Sequence, residues 1–585
     1  MNIKDFSIST DTQNAEFDLA ITEESATSLV LKFTMKAEEK IVPSPVKVEW
    51  KVPVGNIVSV WGPLLGFSRF IAPNWRRTKV ESKTAVGAPV LSLINNDGTS
   101  SCTIAISDTK TPTEIGAGVS EEEAVFFCNA TFFTSYISPI DSYEAYIRID
   151  FENQPFTDSV KRVNAWWEND FGYEKAYVPH EAYLPMNSAW YSFHQALDPE
   201  RLIEECRISA KLGMKTIIID DGWQTTDNNR GYRYCGDWEL ATEKIPDMKK
   251  LTDEIHKLGM KVMLWYSVPF VGIYSKAYER FKDMALADEK GVLVVDLRYK
   301  EVRDYLVETY VNAVKNFGLN GLKLDFIDRF KLRAESPEVN DRMDIPSIED
   351  ALESLLAETK AELVKIDPEI LLEFRQGYIG PTVLKYGNMV RVGDCPYDSL
   401  RNRMHIINLR LTSGKTAVHS DMIMWHKNAP VEAAARQLIS TLFGVPQVSV
   451  ILKGLSEEHL DAIKFWLDFY TENIDVLHSE NISVKNPELN FSQVRAEKDG
   501  RVIGVNYANV PFEVKRFAKN GERCIFINSA DDAYICLNCA EDIGSCRLRI
   551  CDCLGRTVSD KSLELSAGAI MLNVPVCGFV EISKN

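Results

Sequence analysis

The chain has 585 residues, 45% of them hydrophobic and 26% charged, a composition of globular protein and a length beyond one hydrophobic core. Its 66 basic against 84 acidic residues leave a net charge of -18, which excludes nucleic acid and anionic membranes as partners of the surface as a whole. The opening Met1-Asn-Ile-Lys-Asp-Phe-Ser has neither a basic nor an apolar leader segment and no window reaches membrane-spanning length without charges, so a cytoplasmic protein whose 12 Cys stay as thiols is expected.

Residues 1–178 alternate apolar and polar over short runs, such as Leu29 to Thr34, Val48 to Val52 and Tyr146 to Phe151, with turns such as Asn95-Asn-Asp-Gly98 between them. This predicts an antiparallel β-sandwich. The apolar, irregular segment from Trp61 to Trp75 reads either as a loop packed in a domain interface or as an aromatic lid over a neighbouring site.

From Pro179 the rhythm becomes strand then helix, repeated. Strands are predicted at Ala189–Phe193, Thr216–Asp220, Lys261–Trp265, Gly321–Phe326, Ile370–Phe374, Met389–Gly393, Thr416–Met424 and Gln447–Ile451, with helical patterns between them and an extra run, Val292–Leu297, in one long gap. Eight such strands over residues 179–481 predict an α/β fold, a (β/α)8 TIM barrel. A doubly wound open sheet is the competitor, and no Gly-x-Gly-x-x-Gly follows any of the strands. Residues 482–585 return to alternation and predict a small C-terminal antiparallel β-domain. Its Cys536, Cys539, Cys546, Cys551 and Cys553 lack a neighbouring His and the paired spacing of a zinc ribbon, so they read as strand cysteines.

The barrel strands end in a specific inventory: Asp220 with Asp221, Trp265, Lys323 with Asp325, Arg375, Asp394, and His419 with Asp421. One Asp at a strand end is explained by helix capping; four such positions on one rim are harder to explain that way. Acids, an indole wall and two cations suit a polyhydroxylated ligand. Glycoside hydrolysis uses two carboxyl groups, one attacking or activating water and one donating a proton. Lys323 and Asp325, two apart on a strand, point the same way, so a cation would keep Asp325 ionised. Asp394 precedes Cys395-Pro396, a less charged setting that would raise its pKa for acid/base work.

Asp220-Asp-Gly-Trp-Gln, Gly236-Asp-Trp238, Gly259-Met-Lys-Val-Met-Leu-Trp265, Lys323-Leu-Asp-Phe326 and Val390-Arg-Val-Gly-Asp394 together resemble, in order, the signatures of glycoside hydrolase family 36, the α-galactosidases related to melibiase and raffinose synthases. The resemblance implies Asp325 as nucleophile of a retaining double displacement and Asp394 as acid/base. It implies Asp220, Asp221, Trp265 and Lys323 around a terminal sugar such as galactose, Trp190 among the binding residues, and Trp61 as a Trp that closes the pocket. It implies an oligosaccharide or glycoside substrate and no metal or organic cofactor. Self-association is left open.

The chain departs from that family where a Cys or Ser in a Gly-rich stretch is expected; here stands Glu373-Phe-Arg375-Gln376-Gly377. Arg375 either pairs with Glu373 or Asp421, or faces substrate, in which case a modified or anionic sugar fits its guanidinium. Asp398 rivals Asp394 as acid/base but is placed to cap the helix that follows. His419 and Asp421 either touch substrate or are structural, and Asp328-Arg329 reads as a loop ion pair. Transglycosylation onto a second sugar is the runner-up to hydrolysis, and a sugar-binding protein on a retired barrel is the alternative from another class.

Overall fold

The computed structural model describes residues 5–375, 377–517 and 521–584. At the N-terminus a five-stranded and a six-stranded antiparallel sheet face each other. Val46–Pro53 shows why they form: Val46, Val48, Trp50 and Val52 are buried while the residues between them face outward. Between the sheets Phe33 of one stacks on Phe132 of the other, ring centroids 4.5 Å apart. A helix, Phe156–Phe171, leads from the sandwich toward the next layer, and Asn164 on it donates to the Leu411 carbonyl.

The central sheet is parallel and eight-stranded: β1 Met186–Ser188, β2 Thr216–Ile219, β3 Lys261–Ser267, β4 Gly321–Asp325, β5 Leu371–Arg375, β6 Met389–Arg391, β7 Ala417–His419 and β8 Gln447–Val448. Consecutive strands pair from β1 to β7, and β8 pairs with β1. The seam between β7 and β8 is joined by two isolated bridges, His419 to Val445 and Ile423 to Val448, so the barrel is nearly closed. Strands of this kind are apolar throughout because they are covered on both faces, and every residue of β2 and β4 is buried.

Four of the helices between the strands carry side-chain caps of their own. Asp198, Asp247, Ser347 and Asp398 each accept a backbone N–H at a helix start. The strand-end carboxylates are thus not the caps, and the bland explanation for them does not hold. Asp398 belongs to the helix Ser399–Thr412, as its spacing suggested.

Three details depart from expectation. Ala189–Phe193 is a short helix, and the strand lies just before it. The run at Val292–Val295 belongs to a separate three-stranded sheet with Phe270–Gly272 and Ala285–Asp288. Arg329 pairs with Glu289, not with Asp328 beside it.

After the helix Glu457–Glu472 come a seven-stranded and a three-stranded sheet. That helix docks them to the barrel, with Phe465 stacked on Phe579 at 5.9 Å and the Trp466 indole donating to the Cys553 carbonyl. The cysteines are free thiols, and among the described residues no group of His, Cys, Asp and Glu could hold a metal. No helix among them is long and apolar enough to cross a membrane.

Candidate active site

Asp325 ends β4, and the chain turns sharply behind it. Phe326 has φ 64°, a left-handed conformation that a bulky residue adopts only when its surroundings impose it. The turn swings the Phe326 N–H back onto Asp325 Oδ1 at 2.7 Å. The same oxygen accepts from Arg375 Nε at 2.5 Å and from the Tyr378 hydroxyl at 3.2 Å. Among the described residues Oδ2 has a single donor, the Trp265 indole N–H at 3.0 Å. Oδ1 is therefore saturated, while Oδ2 keeps a lone pair. The Trp265 ring is itself held by Trp238, edge-on at 6.1 Å, and lies parallel to Tyr232 at 6.4 Å.

Asp394 lies just beyond β6. Arg391 Nη2 donates to its Oδ1 at 2.8 Å, and Arg375 Nη1 reaches both oxygens at 3.2 and 3.3 Å. Arg375 stands level with Asp325 because the β4/β5 register aligns Lys323 with Glu373. Its guanidinium therefore spans from one carboxylate to the other, with the Phe326 ring 5.1 Å from its centre. Burial alone would raise the Asp394 pKa, but Arg391 and Arg375 together hold it well below the usual carboxylate range.

Two residues before Asp325 on β4, Lys323 Nζ pairs with Asp220 Oδ2 at 2.6 Å. Asp221 accepts from Gln195 at 2.8 Å and from Gln224 at 2.7 Å, and burial pushes its carboxyl up to about 6. Gly222, at φ 116°, lets this turn pass Gln195, whose Cα would lie 2.6 Å from any added Cβ. Trp190, half-buried, lies edge-on to His194 at 4.7 Å with Arg230 at 5.7 Å over its ring.

Below the carboxylates lies a buried polar layer. Arg391 Nη1 pairs with Asp421, which also accepts from the Tyr191 hydroxyl at 2.9 Å and the Cys395 N–H at 2.6 Å. Glu373 accepts from Gln447 at 2.6 Å, and burial raises its pKa. His419 Nε2 lies 2.8 Å from the Ala182 carbonyl, and burial lowers this imidazole to about 3.

These contacts correct four expectations. The cation on Asp325 is Arg375; Lys323 is taken up by Asp220. Arg375 pairs with neither Glu373 nor Asp421, which Gln447 and Arg391 occupy. Asp394 is pushed down in pKa because two guanidiniums converge on it. Trp61 is fully buried, its indole donating to Asn408 at 3.1 Å and its ring against Phe156, so it lies in the interface between sandwich and barrel and closes no pocket. Asp237 of the Gly-Asp-Trp motif is also structural, accepting the Lys276 and Ala277 N–H groups at the start of the helix Lys276–Phe281. Gln195 and Tyr378 were missed by sequence reasoning because they lie outside the strands; Tyr191 lay in a run expected to be a strand and Gln224 within the Asp220 motif, but neither carried a signal of its own.

A parallel barrel with paired carboxylates at its strand ends is an arrangement that glycoside hydrolysis can use. Melibiase is the family profile that matches this chain, over residues 173–377. The α-galactosidase AgaA of Geobacillus stearothermophilus is 27% identical over 145 residues, 23% of this chain and 20% of that protein. An A type blood α-D-galactosamine galactosaminidase of Flavonifractor plautii is 37% identical over 83 residues, 14% of this chain and 7% of that protein. The matched segments thus span a fifth or less of these relatives. In fold the likeness is longer: the crystal structure of GH36 α-galactosidase AgaA in complex with raffinose superposes with a TM-score of 0.65 at 14% identity, covering 99% of this chain and 87% of that one. The chain resembles the GH36 α-galactosidases, in sequence over residues 173–377 and in fold along nearly its whole length.

Proposed function

We propose that this protein is a retaining exo-α-glycosidase that removes terminal α-galactosyl-type residues from oligosaccharides. The observation that carries the reading is that one guanidinium touches both Asp325 and Asp394, so the two carboxylates face a common gap. Retaining glycosidases hold such a pair about 5 to 5.5 Å apart, closer than inverting ones.

Asp325 is the nucleophile. Its Oδ1 is occupied by three donors, which fix the plane of the group, and Oδ2 attacks the anomeric carbon. Asp394 is the acid/base: its carboxyl gives a proton to the leaving oxygen as the glycosidic bond breaks, then takes one from the water that releases the sugar. Asp220 and Asp221 accept from the outer hydroxyls, Trp265 covers an apolar face of the ring, and Lys323 donates to hydroxyls from its place beside Asp220. Trp190 borders the pocket mouth. The unit that does this work is the barrel, residues 179–481, between sandwich 1–178 and β-domain 482–585. The neighbours with raffinose and stachyose bound support an oligosaccharide as substrate.

Arg375 favours a second reading within the same site, an α-glycosidase for a modified or anionic sugar. A relative named for galactosamine supports variation at the sugar. A panel of nitrophenyl α- and β-glycosides tests the proposal: release from the α-galactoside or a close relative is expected. Cleavage of β-glycosides alone, or of none, contradicts it. Product analysis at high acceptor sugar separates hydrolysis from transfer.

A further inference from the structure

We infer that Arg375 selects the sugar, and that the substrate it admits carries an oxyanion, a sulfate monoester or a substituent ending in a free carboxylate, on the ring carbon next to the anomeric centre. This rests on the assignment of Asp325 and Asp394 above.

The geometry leads there in three steps. Asp325 bonds to the anomeric carbon and Asp394 protonates the oxygen leaving that same carbon. A group in hydrogen-bond contact with both therefore lies alongside it. Of the anomeric carbon's ring neighbours, the ring oxygen bears no substituent, so the substituent that meets Arg375 is the one on the second carbon.

Next, the contacts of Arg375 are unequal. Nε is 2.5 Å from Asp325, whose side chain is 4% exposed, whereas Nη1 is 3.2 and 3.3 Å from Asp394, whose side chain is 46% exposed. The Asp394 end is the looser and wetter one, and it is the one that yields. Nη2 makes no hydrogen bond among the described residues, so Nη1 and Nη2 together present a fork that matches two oxygens of one anion.

Finally, the exchange serves the reaction. While Arg375 holds Asp394, that carboxyl cannot carry the proton it must donate. A neutral hydroxyl competes poorly with a carboxylate for a guanidinium, whereas a substrate anion competes on equal terms. Once it has taken Nη1, Asp394 faces Arg391, with Lys323, Asp421 and Tyr191 around it, and the Arg375 guanidinium no longer holds it. The substrate thus brings the charge that unlocks the acid.

The test compares kcat/KM of the full chain for 4-nitrophenyl α-galactoside and its 2-sulfate ester. The wild type is expected to prefer the sulfate by about 10- to 100-fold, the factor one charge-assisted hydrogen bond supplies. Arg375→Ala and Arg375→Gln are expected to reverse that preference and Arg375→Lys to keep part of it, with melting curves showing that each variant is folded. Equal or better use of the neutral glycoside by the wild type overturns the inference, and this comparison needs no variant. 2,4-Dinitrophenyl α-galactoside, whose departure needs no proton, separates the two failures. If it is cleaved while the sulfate is not preferred, only the inference falls; if none of the three is cleaved, the hydrolase assignment falls with it.

Discussion

Trp265 donates its indole N–H to Oδ2 of Asp325 across 3.0 Å, from the strand beside it in the barrel. This is the sole side-chain hydrogen bond to that oxygen among the described residues, and in the proposed mechanism it would set the direction of the attacking lone pair. Replacing Trp265 with Phe keeps the wall and removes the donor. A fall in kcat of about 10- to 100-fold is expected, with a smaller change in KM, as for a lost positioning contact. Steady-state kinetics on a nitrophenyl α-galactoside check it; an unchanged kcat counts against Oδ2 as the attacking atom.

Asp394 is assigned the proton, so its loss must depend on the leaving group. In Asp394→Asn, hydrolysis of methyl α-galactoside is expected to drop by about 10²- to 10⁴-fold, while 2,4-dinitrophenyl α-galactoside stays within about tenfold. Equal losses on both would move the role elsewhere, with Asp398 excluded as a helix cap.

The Asp221 carboxyl, a sugar acceptor in the proposed mechanism, is raised by burial to about 6. Above pH 6 it is an acceptor-only carboxylate; below, it carries a proton and loses acceptor capacity. KM for the galactoside is therefore expected to climb as pH falls from 7 to 5, by up to about tenfold per pH unit once below 6. Asp221→Asn should bind more weakly and lose this dependence, as KM measured across that window will show.

His419 lies neutral under the site, with its pKa lowered by burial to about 3 from an ordinary 6.5. The unfolded chain binds a proton below 6.5 that the folded chain refuses, so its contribution to stability is whole above 6.5 and is lost as pH falls from there toward 3. The cost is about 1.4 kcal/mol per pH unit from this one group. Denaturant midpoints for the wild type and His419→Asn at pH 7, 6 and 5 should converge as pH falls. Parallel lines would mean that the imidazole is protonated in the fold.

Asp421 ties together Arg391, Tyr191 and the Cys395 N–H. Asp421→Asn leaves Arg391 short of a buried counter-charge, for which a loss of about 3–5 kcal/mol is expected. The loop carrying Asp394 loosens with it, so activity and the denaturation midpoint should fall together.

The strand ends were legible because a buried parallel strand is a short apolar run, and an Asp terminating several such runs has no packing reason to be there. The helix at Ala189–Phe193 was not, since Trp190, Tyr191 and Phe193 carry a strand preference that tertiary packing overrides. Strand periodicity rightly put Lys323 and Asp325 on one side, yet it could not say which long cation meets which acid. That depended on register: β5 brings Arg375 level with Asp325 and leaves Lys323 to reach Asp220. The pKa of Asp394 was misjudged for the same reason, because its neighbours in sequence, Cys395 and Pro396, are not its neighbours in charge. Trp61 shows the reverse case, where a resemblance in type and place is spent on an interface.

The most direct test of the account is to trap the glycosyl enzyme. The wild type is incubated with a 5-fluoro-α-galactosyl fluoride, which forms the ester quickly and releases it slowly, and the digested protein is mapped by mass. The account predicts one added fluorogalactosyl group, on the peptide containing Asp325 and on that carboxylate. A label on any other residue, or steady turnover of the fluoride with no ester formed, would contradict it.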